Sequence, residues 1–127
     1  GFGTQTSALT FGGDGPGSPG TKNLTELWNG TNWTETGDLN TARTYLAGAG
    51  ADNTSGLGFG GNPSGGATEE WNGSNWTEVS DLNTSRNSLA GDGTINNAVA
   101  FGGTPPVTGA TEEWDSNQPT TVTFSDS

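Results

Sequence analysis

The chain has 127 residues, of which only 27% are hydrophobic, and 14 acidic side chains against three basic ones give it a formal net charge of −11. A chain this acidic repels phosphate, so nucleic acid and anionic membranes are poor candidate partners, and no segment approaches the roughly 20 apolar residues of a transmembrane helix. The absence of cysteine and histidine excludes disulfides, Ser-His-Asp and Cys-His catalytic arrangements, and His/Cys zinc or copper sites.

An internal repeat of about 43 residues organises the sequence. Residues 28–35 return almost unchanged at 71–78, and residues 38–43 return at 81–86. The repeat argues against the disorder that so glycine-rich a composition would otherwise indicate. A Phe-Gly-Gly triplet and a tryptophan recur once in each unit, at Phe11, Phe59 and Phe101, and at Trp28, Trp71 and Trp114. The three units form one domain and cover approximately residues 1–43, 44–86 and 87–127.

Each unit is predicted to contain four short β-strands. The first strand is rich in alanine and glycine, as a crowded innermost strand would be, and the second runs into the Phe-Gly-Gly triplet. Asn-Gly turns at 29–30 and 72–73 join the third strand to the fourth as hairpins. No window keeps the apolar spacing of a helix for more than one turn. In chain order, the predicted strands are 25–28, 32–36, 44–50, 68–71, 75–80, 87–93, 97–101, 111–114 and an outer strand within 120–127.

A period of about 40–50 residues with four strands in each unit is typical of β-propeller blades. At these residues the sequence resembles the Kelch repeat, in which a Gly-Gly doublet ends the second strand, an aromatic residue and a tryptophan occupy the third and fourth, and an arginine precedes the next blade. The doublets here begin at Gly12, Gly60 and Gly102. The resemblance implies that large side chains pack between blades. These blade-packing candidates are Phe11, Phe59, Phe101, Trp28, Trp33, Trp71, Trp76, Trp114, Arg43 and Arg86.

The sequence departs from the Kelch pattern in three places. The two aromatic residues of a unit are closer together than the family usually shows, and the third-strand aromatic is tryptophan where tyrosine is common. In the third unit, Pro119 stands where the fourth-strand tryptophan is expected. The Gly/Thr/Asn-rich style is similar to Kelch-like arrays encoded by marine bacteriophages and bacteria.

The register of the repeat places the first residue inside a first strand, and it places the last residue before the arginine of a fourth unit. Three blades alone would leave two blade faces open, which is a hydrophobic liability. We expect a second copy to complete the array as a six-bladed ring, or further blades of a longer chain to do so. An open or trimeric stack within a larger fibre is the third alternative.

Carboxylate pairs at Glu69-Glu70 and Glu112-Glu113 are the main enzymatic candidates, since glycosidases use two neighbouring carboxylates. Adjacent strand residues point to opposite faces, however, and the pair recurs with the repeat, which favours a scaffold role. Arg43 and Arg86 are interpreted as ligand anchors or, with more support from the repetition, as partners of glutamates or backbone carbonyls at the blade junction. We therefore expect no enzymatic activity, no metal site and no cofactor.

Recognition would then fall to the loops between second and third strands, because loops on a rigid scaffold commonly carry binding. The predicted function is a structural or binding module of an extracellular or virion appendage such as a phage tail or fibre. Its partners would be itself, other structural proteins, or a glycan or protein receptor on a host surface. The alternatives are a cell-surface adhesin domain, an intracellular Kelch-type adaptor, and an engineered or truncated repeat protein. The candidate contact residues are Asp14, Pro16, Ser18, Lys22, Asn62, Pro63, Thr104, Pro105 and Pro106.

Overall fold

The computed structural model of the chain describes residues 1–17, 20–105, 109–115 and 118–122. Within these residues it contains twelve β-strands and no helix, arranged as three four-stranded antiparallel sheets. We call the sheets blade 1, blade 2 and blade 3, in chain order. In each blade the strands follow one another as a meander, so that strands consecutive in the chain are neighbours in the sheet. The predicted all-β fold of three four-stranded blades is confirmed.

The strands of each blade are short. Blade 1 comprises β1 (Phe2–Gly3), β2 (Ala8–Phe11), β3 (Thr25–Trp28) and β4 (Trp33–Glu35), blade 2 comprises β5 (Ala47–Asp52), β6 (Ser55–Phe59), β7 (Thr68–Trp71) and β8 (Trp76–Val79), and blade 3 comprises β9 (Ala90–Thr94), β10 (Asn97–Phe101), β11 (Thr111–Asp115) and β12 (Gln118–Val122). The bounds of β3, β7 and β10 coincide with the predicted ones. The predicted outer strand of the third unit begins at Gln118 rather than at 120, and the rest of that segment, residues 123–127, lies outside the described residues.

The innermost strands of blades 2 and 3 begin three residues later than predicted, at Ala47 and Ala90. The reason is the backbone of Tyr45 and Ser88, whose φ angles are 57° and 55°. These angles lie in the left-handed region, which an extended strand cannot contain. The residues before the strands therefore form blade linkers, and the backbone N–H of Ser88 donates to the carbonyl of Tyr45 at 2.9 Å, which ties one linker to the other.

The hairpins between third and fourth strands form as the Asn-Gly signal predicts. The side chain of Asn29 accepts from the backbone N–H groups of Thr31 and Asn32 at 2.9 and 2.8 Å, and Asn72 makes the same two bonds one unit later. Gly30 has a φ of 93°, which a residue with a Cβ rarely adopts. Local chemistry alone therefore specifies these turns, and with them the pairing of the two strands.

The glycine doublets let one blade approach the linker to the next. Gly60 and Gly61 have φ angles of 71° and 104°. The N–H of Gly61 donates to the carbonyl of Arg86 at 2.9 Å, and a Cβ on Gly60 would stand 2.7 Å from Leu89 Cδ2. A larger residue would therefore push the linker away from the end of β6. The N–H of Gly13 bonds the carbonyl of Arg43 in the same way, at 2.7 Å.

The core lies between the blades, as two successive apolar layers. The inner strands β1, β5 and β9 lie next to one another in chain order, so the sheets stack face to face. Burying one large apolar side chain stabilises the fold by roughly 1.5–3 kcal/mol. The layer between blades 1 and 2 contains Leu9, Phe11, Leu39, Trp71 and Trp76, and the layer between blades 2 and 3 contains Ala47, Ala49, Leu57, Phe59, Leu82, Ala98, Ala100 and Trp114.

Candidate functional site

A buried ion pair joins blade 1 to blade 2. Arg43, in the linker after blade 1, is completely buried, and its Nη2 lies 2.8 Å from Oε2 of Glu69 in β7. Its Nη1 donates to the carbonyls of Gly60 and Ala67 at 2.8 and 2.6 Å. The other oxygen of Glu69 accepts from the backbone N–H and the side-chain amide of Asn40, at 2.6 and 3.0 Å. One guanidinium and one carboxylate thus fasten the linker to the second and third strands of the next blade.

The environment of Arg43 acts on its charge in two opposite ways. Burial lowers the pKa of Arg43 below its ordinary value, and the neighbouring carboxylate of Glu69 opposes this effect. Arginine has an ordinary pKa so high that the side chain stays protonated at neutral pH. Because a buried charge is costly unless it is paired and hydrogen-bonded, this site needs both partners.

The same arrangement recurs between blades 2 and 3. Arg86 forms an ion pair with Glu112 and donates through Nη1 to the carbonyls of Gly102 and Ala110, at 3.1 and 2.6 Å. Glu112 also accepts from the backbone N–H of Asn83. Each guanidinium bonds a glutamate and two backbone carbonyls of the next blade. These contacts agree with the interpretation of the arginines as partners at the blade junction rather than as ligand anchors.

Aromatic side chains of blades 1 and 2 pack against each other in the layer between the two blades. Phe11 of blade 1 meets Trp76 of blade 2 edge to face, with ring centroids 4.8 Å apart at an angle of 63°. The indole Nε1 of Trp76 donates to Oγ1 of Thr25 in blade 1, at 2.9 Å, and both groups are buried. Gly48 completes the contact, since a Cβ there would come within 2.6 Å of the Phe11 ring. We call the contacts among these four residues the Phe–Trp lock.

Other aromatic residues that the sequence singled out are also buried at the junctions. Trp71 is completely buried and donates its indole N–H to the carbonyl of Asn53 at 2.9 Å, and Trp114 is 6% exposed. Phe59 is buried against Gly91 of blade 3. At both junctions, therefore, a phenylalanine ring packs on an inner-strand glycine of the next blade.

Three blade-packing candidates do not pack between the blades of this chain. Trp33 is 49% exposed and Phe101 is 41% exposed, whereas their equivalents in the neighbouring units are almost fully buried. Trp28 is only half-buried, although its Nε1 bonds the carbonyl of Gln5 at 3.0 Å. Trp33 and Phe101 are exposed because of where their blades stand in the stack. Trp33 lies on the terminal side of blade 1 and Phe101 on the terminal side of blade 3, where no other part of the described chain covers them.

The longest candidate contact loop folds back on itself. Asp14 forms an isolated antiparallel bridge with Thr21, and Lys22 Nζ donates to the carbonyl of Pro16 at 3.1 Å. Ser18 lies outside the described residues. These two contacts bring the described parts of the loop, residues 14–17 and 20–22, together beside blade 1.

The corresponding loops of blades 2 and 3 are tied to the blade linkers. Asn62 exchanges two backbone hydrogen bonds with Thr44, at 2.8 and 3.0 Å, and Thr104 exchanges two with Asn87, at 2.9 and 2.7 Å. Pro106 lies outside the described residues. Backbone hydrogen bonds thus fix where these two loops begin relative to the junctions.

Three of the candidate contact residues come together. Asn62, Pro63 and Pro105 line a small cleft of about 260 Å³ between blades 2 and 3, beside Ser85 and Asn87. The cleft brings two loops of neighbouring blades to one surface, although Pro63 and Pro105 are 42 positions apart in the chain.

A larger polar cleft, of about 600 Å³, contains residues that the sequence reasoning missed. Its wall includes Pro63, which was a candidate, together with Thr41, Glu78, Asp81 and Ser85. Thr41 Oγ1 donates to Oε1 of Glu78 at 3.3 Å. No sequence motif indicates a site at these positions. The one feature of the sequence that could have pointed to the cleft is the number of polar side chains in the fourth strand and in the linker that follows it.

The described residues contain no group of three or more acidic side chains suited to hold a metal ion. Nor does that part of the chain include a helix of the length and apolarity needed to cross a bilayer. In comparisons with known proteins, no family model matches the sequence and no curated protein matches it.

Proposed function

We propose that this chain is a Kelch-like propeller module with a structural and binding role in an extracellular or virion appendage, such as a phage tail or fibre, and that it is not an enzyme. One observation carries the proposal. The buried charged side chains of the described residues, Arg43 with Glu69 and Arg86 with Glu112, form the same junction contact twice. Groups that recur once per blade and bond each other are scaffold.

The carboxylate pairs support the same conclusion. Glu69 is fully buried in its ion pair, whereas its neighbour Glu70 is only partly buried and pairs across the sheet with Thr77 of β8. Adjacent residues of a strand point to opposite faces, so the two carboxylates do not face a common substrate. In blade 3, Glu112 is buried and Glu113 is exposed in the same way.

The surface charge fits a solvated appendage. Two of the three basic side chains are buried at the junctions, and most of the 14 acidic ones remain outside. An acidic surface keeps a protein soluble and repels polyanions. The Thr-, Asn- and Gly-rich exterior, similar in style to phage-encoded repeat arrays, supports a structural role outside the cytosol.

Fractionation of the source particle or cell tests this proposal. An antibody against the chain should detect it in purified particles or in the extracellular fraction, at a fixed ratio to a known structural protein and resistant to a salt wash. Recovery as a free cytosolic monomer contradicts the proposal and favours the intracellular adaptor instead. A cytosolic marker enzyme, followed in the same fractions, controls for leakage.

The polar cleft favours a second candidate, a glycan-binding adhesin. Carboxylate and hydroxyl groups such as those of Glu78, Asp81 and Ser85 are suited to bond sugar hydroxyls. A glycan array probed with the chain should then give a signal that Glu78→Gln with Asp81→Asn abolishes. Glu35→Gln, at the equivalent position of blade 1, is the matched control. An array without any signal that depends on the cleft favours the purely architectural role.

A further inference from the structure

The two ends of the blade stack carry opposite halves of the Phe–Trp lock. Trp33 is the blade 1 equivalent of Trp76, and Phe101 and Thr111 are the blade 3 equivalents of Phe11 and Thr25. We call the terminal side of blade 1 that bears Trp33 the leading face. We call the terminal side of blade 3 that bears Phe101 and Thr111 the trailing face.

The trailing face is uncovered at the positions that a following blade would bury. Phe101 is 41% exposed, whereas Phe11 and Phe59 are 5% and 3% exposed against the next blade. Thr111 is half-buried, whereas Thr25 and Thr68 are fully buried. The phenyl ring of Phe101 and the hydroxyl of Thr111 thus remain accessible on blade 3, whereas the equivalent groups of blades 1 and 2 are buried.

The leading face presents the complementary groups. Trp33 is 49% exposed, and its ring lies 5.3 Å from that of Trp28 at an angle of 41°. The buried pair Trp71 and Trp76 has the same centroid distance and an angle of 47°. The two rings of the leading face thus have nearly the same mutual arrangement as the buried pair inside the lock.

The residue just before β1, the inner strand of the leading face, is the small residue that the lock needs. Gly1 aligns with Gly48 and Gly91, which receive the rings of Phe11 and Phe59. Thr10 stands where blade 2 has Gly58 and blade 3 has Ala100, and it is exposed. The second blade junction already accommodates a Cβ at this position, so within this pair of strands the larger threonine is the difference that docking must absorb.

We propose that the trailing face of one copy docks head to tail on the leading face of a second copy. In this contact Phe101 packs against Gly1 and Trp33 of the second copy, and the indole N–H of Trp33 donates to Oγ1 of Thr111. The occupant is a second copy because one chain carries both halves of a contact that it already forms internally. The contact repeats the aromatic part of the junctions between blades 1 to 3 but not their ion pair, because both arginines of the chain are already bound at those junctions.

Two such contacts join two copies into one ring of six blades, with all copies in equivalent surroundings. The inference deepens the proposed function, since it rests on the chain being a blade array. The net charge of −11 on each copy opposes the association, and salt screens that repulsion. The dimer is therefore expected to become stronger as ionic strength rises.

Light scattering coupled to size-exclusion chromatography tests the proposal, at several protein concentrations and at low and high salt. The expected mass is twice the 12.8 kDa of one chain. Trp33→Ala and Phe101→Ala should each weaken association by at least about 30-fold, as expected for a buried aromatic at an interface centre. Circular dichroism should show intact folding, since both side chains are exposed in the single chain.

Tyr45→Ser is the matched control. Tyr45 is an exposed aromatic residue, 60% accessible, in the linker between blades 1 and 2, and Ser88 occupies the equivalent position of the next linker with nearly the same φ angle. This variant should dimerise like the parent chain. A dimer that Trp33→Ala and Phe101→Ala leave unchanged overturns the proposal, as does a parent chain that is monomeric at high salt and high concentration.

Mixing the two variants tests the head-to-tail geometry. A pair made of one Trp33→Ala chain and one Phe101→Ala chain keeps one complete lock, and its second contact lacks both side chains. Because side chains in direct contact are coupled, losing both at one contact costs less than losing one at each of two contacts, so the mixture should associate more strongly than either variant alone. A mixture that is no stronger overturns the head-to-tail contact. A folded monomer that is nevertheless found in the particle overturns this inference alone, and a lock-dependent dimer that is confined to the cytosol overturns only the proposed function.

Discussion

Arg43 and Glu69 form a completely buried ion pair with Nη2 and Oε2 2.8 Å apart, between the linker that leaves blade 1 and the third strand of blade 2. The two residues are separated by 26 positions in the chain. Because the guanidinium also bonds two backbone carbonyls, the pair fixes the position of one blade relative to the next.

Replacing one partner of this pair should strongly destabilise the fold. Glu69→Gln removes the counter-charge and leaves Arg43 buried without it, which typically costs about 3–5 kcal/mol. The free energy of unfolding from urea denaturation measures the effect. Glu35→Gln, at an exposed position, should change it by less than about 0.5 kcal/mol.

The double variant Arg43→Met with Glu69→Met separates a lost charge pair from lost packing. Since two apolar side chains leave no uncompensated charge, the double variant should lose less stability than the two single variants added together. Simple additivity would show that the two side chains do not act as a pair.

Gly48→Ala should destabilise the layer between blades 1 and 2. The added Cβ would lie 2.6 Å from Cζ of Phe11 and 2.9 Å from the carbonyl oxygen of Leu57, and overpacking of this kind costs about 1–3 kcal/mol. Thermal unfolding followed by tryptophan fluorescence measures the loss. Gly109→Ala is the control because a Cβ there meets nothing within 4 Å. Equal effects of the two substitutions would argue against the tight contact.

Thr25→Val should weaken the Phe–Trp lock without changing the volume of the side chain. The indole N–H of Trp76 then loses its buried acceptor at 2.9 Å, and an unsatisfied buried donor costs about 1–3 kcal/mol. Urea denaturation should show this loss for Thr25→Val. Thr34→Val, on an exposed position of the neighbouring strand, should leave stability nearly unchanged.

The carboxyl group of Asp52 should titrate at a lower pH than an ordinary aspartate. The hydroxyl and then the backbone N–H of Thr54 lower the pKa of Asp52, with hydrogen bonds of 2.5 and 2.8 Å. A depressed folded pKa means that the stabilising contribution is present above the unfolded value and is lost as pH falls through the folded one. An NMR titration of the carboxyl carbon should show this depressed pKa, which Thr54→Val should raise.

Thr54→Ser is the control for that titration because it keeps the hydroxyl that Asp52 accepts from. Its carboxyl should titrate as in the parent chain. If Thr54→Val left the titration unchanged, the hydroxyl would not be the main cause of the lowered pKa.

The sequence by itself determined the strands and their hairpins. The Asn-Gly turn at Asn29 and the doublet at Gly60 act through hydrogen bonds and backbone angles of a few consecutive residues, and the repeat shows the same local pattern in every unit. What it missed locally was the left-handed backbone of Tyr45 and Ser88, because neither residue type usually adopts that conformation.

Only the tertiary structure decided which of the repeated residues are buried and whom they contact. Trp33 and Trp76 have the same local sequence, yet one is 49% exposed and the other 5%, because only Trp76 has another blade of the chain stacked against it. Likewise, the choice of Glu69 as the partner of Arg43 depends on how two sheets stack. Burial and pairing are properties of surfaces that meet in space, so a pattern repeated along the chain cannot specify them at its two ends.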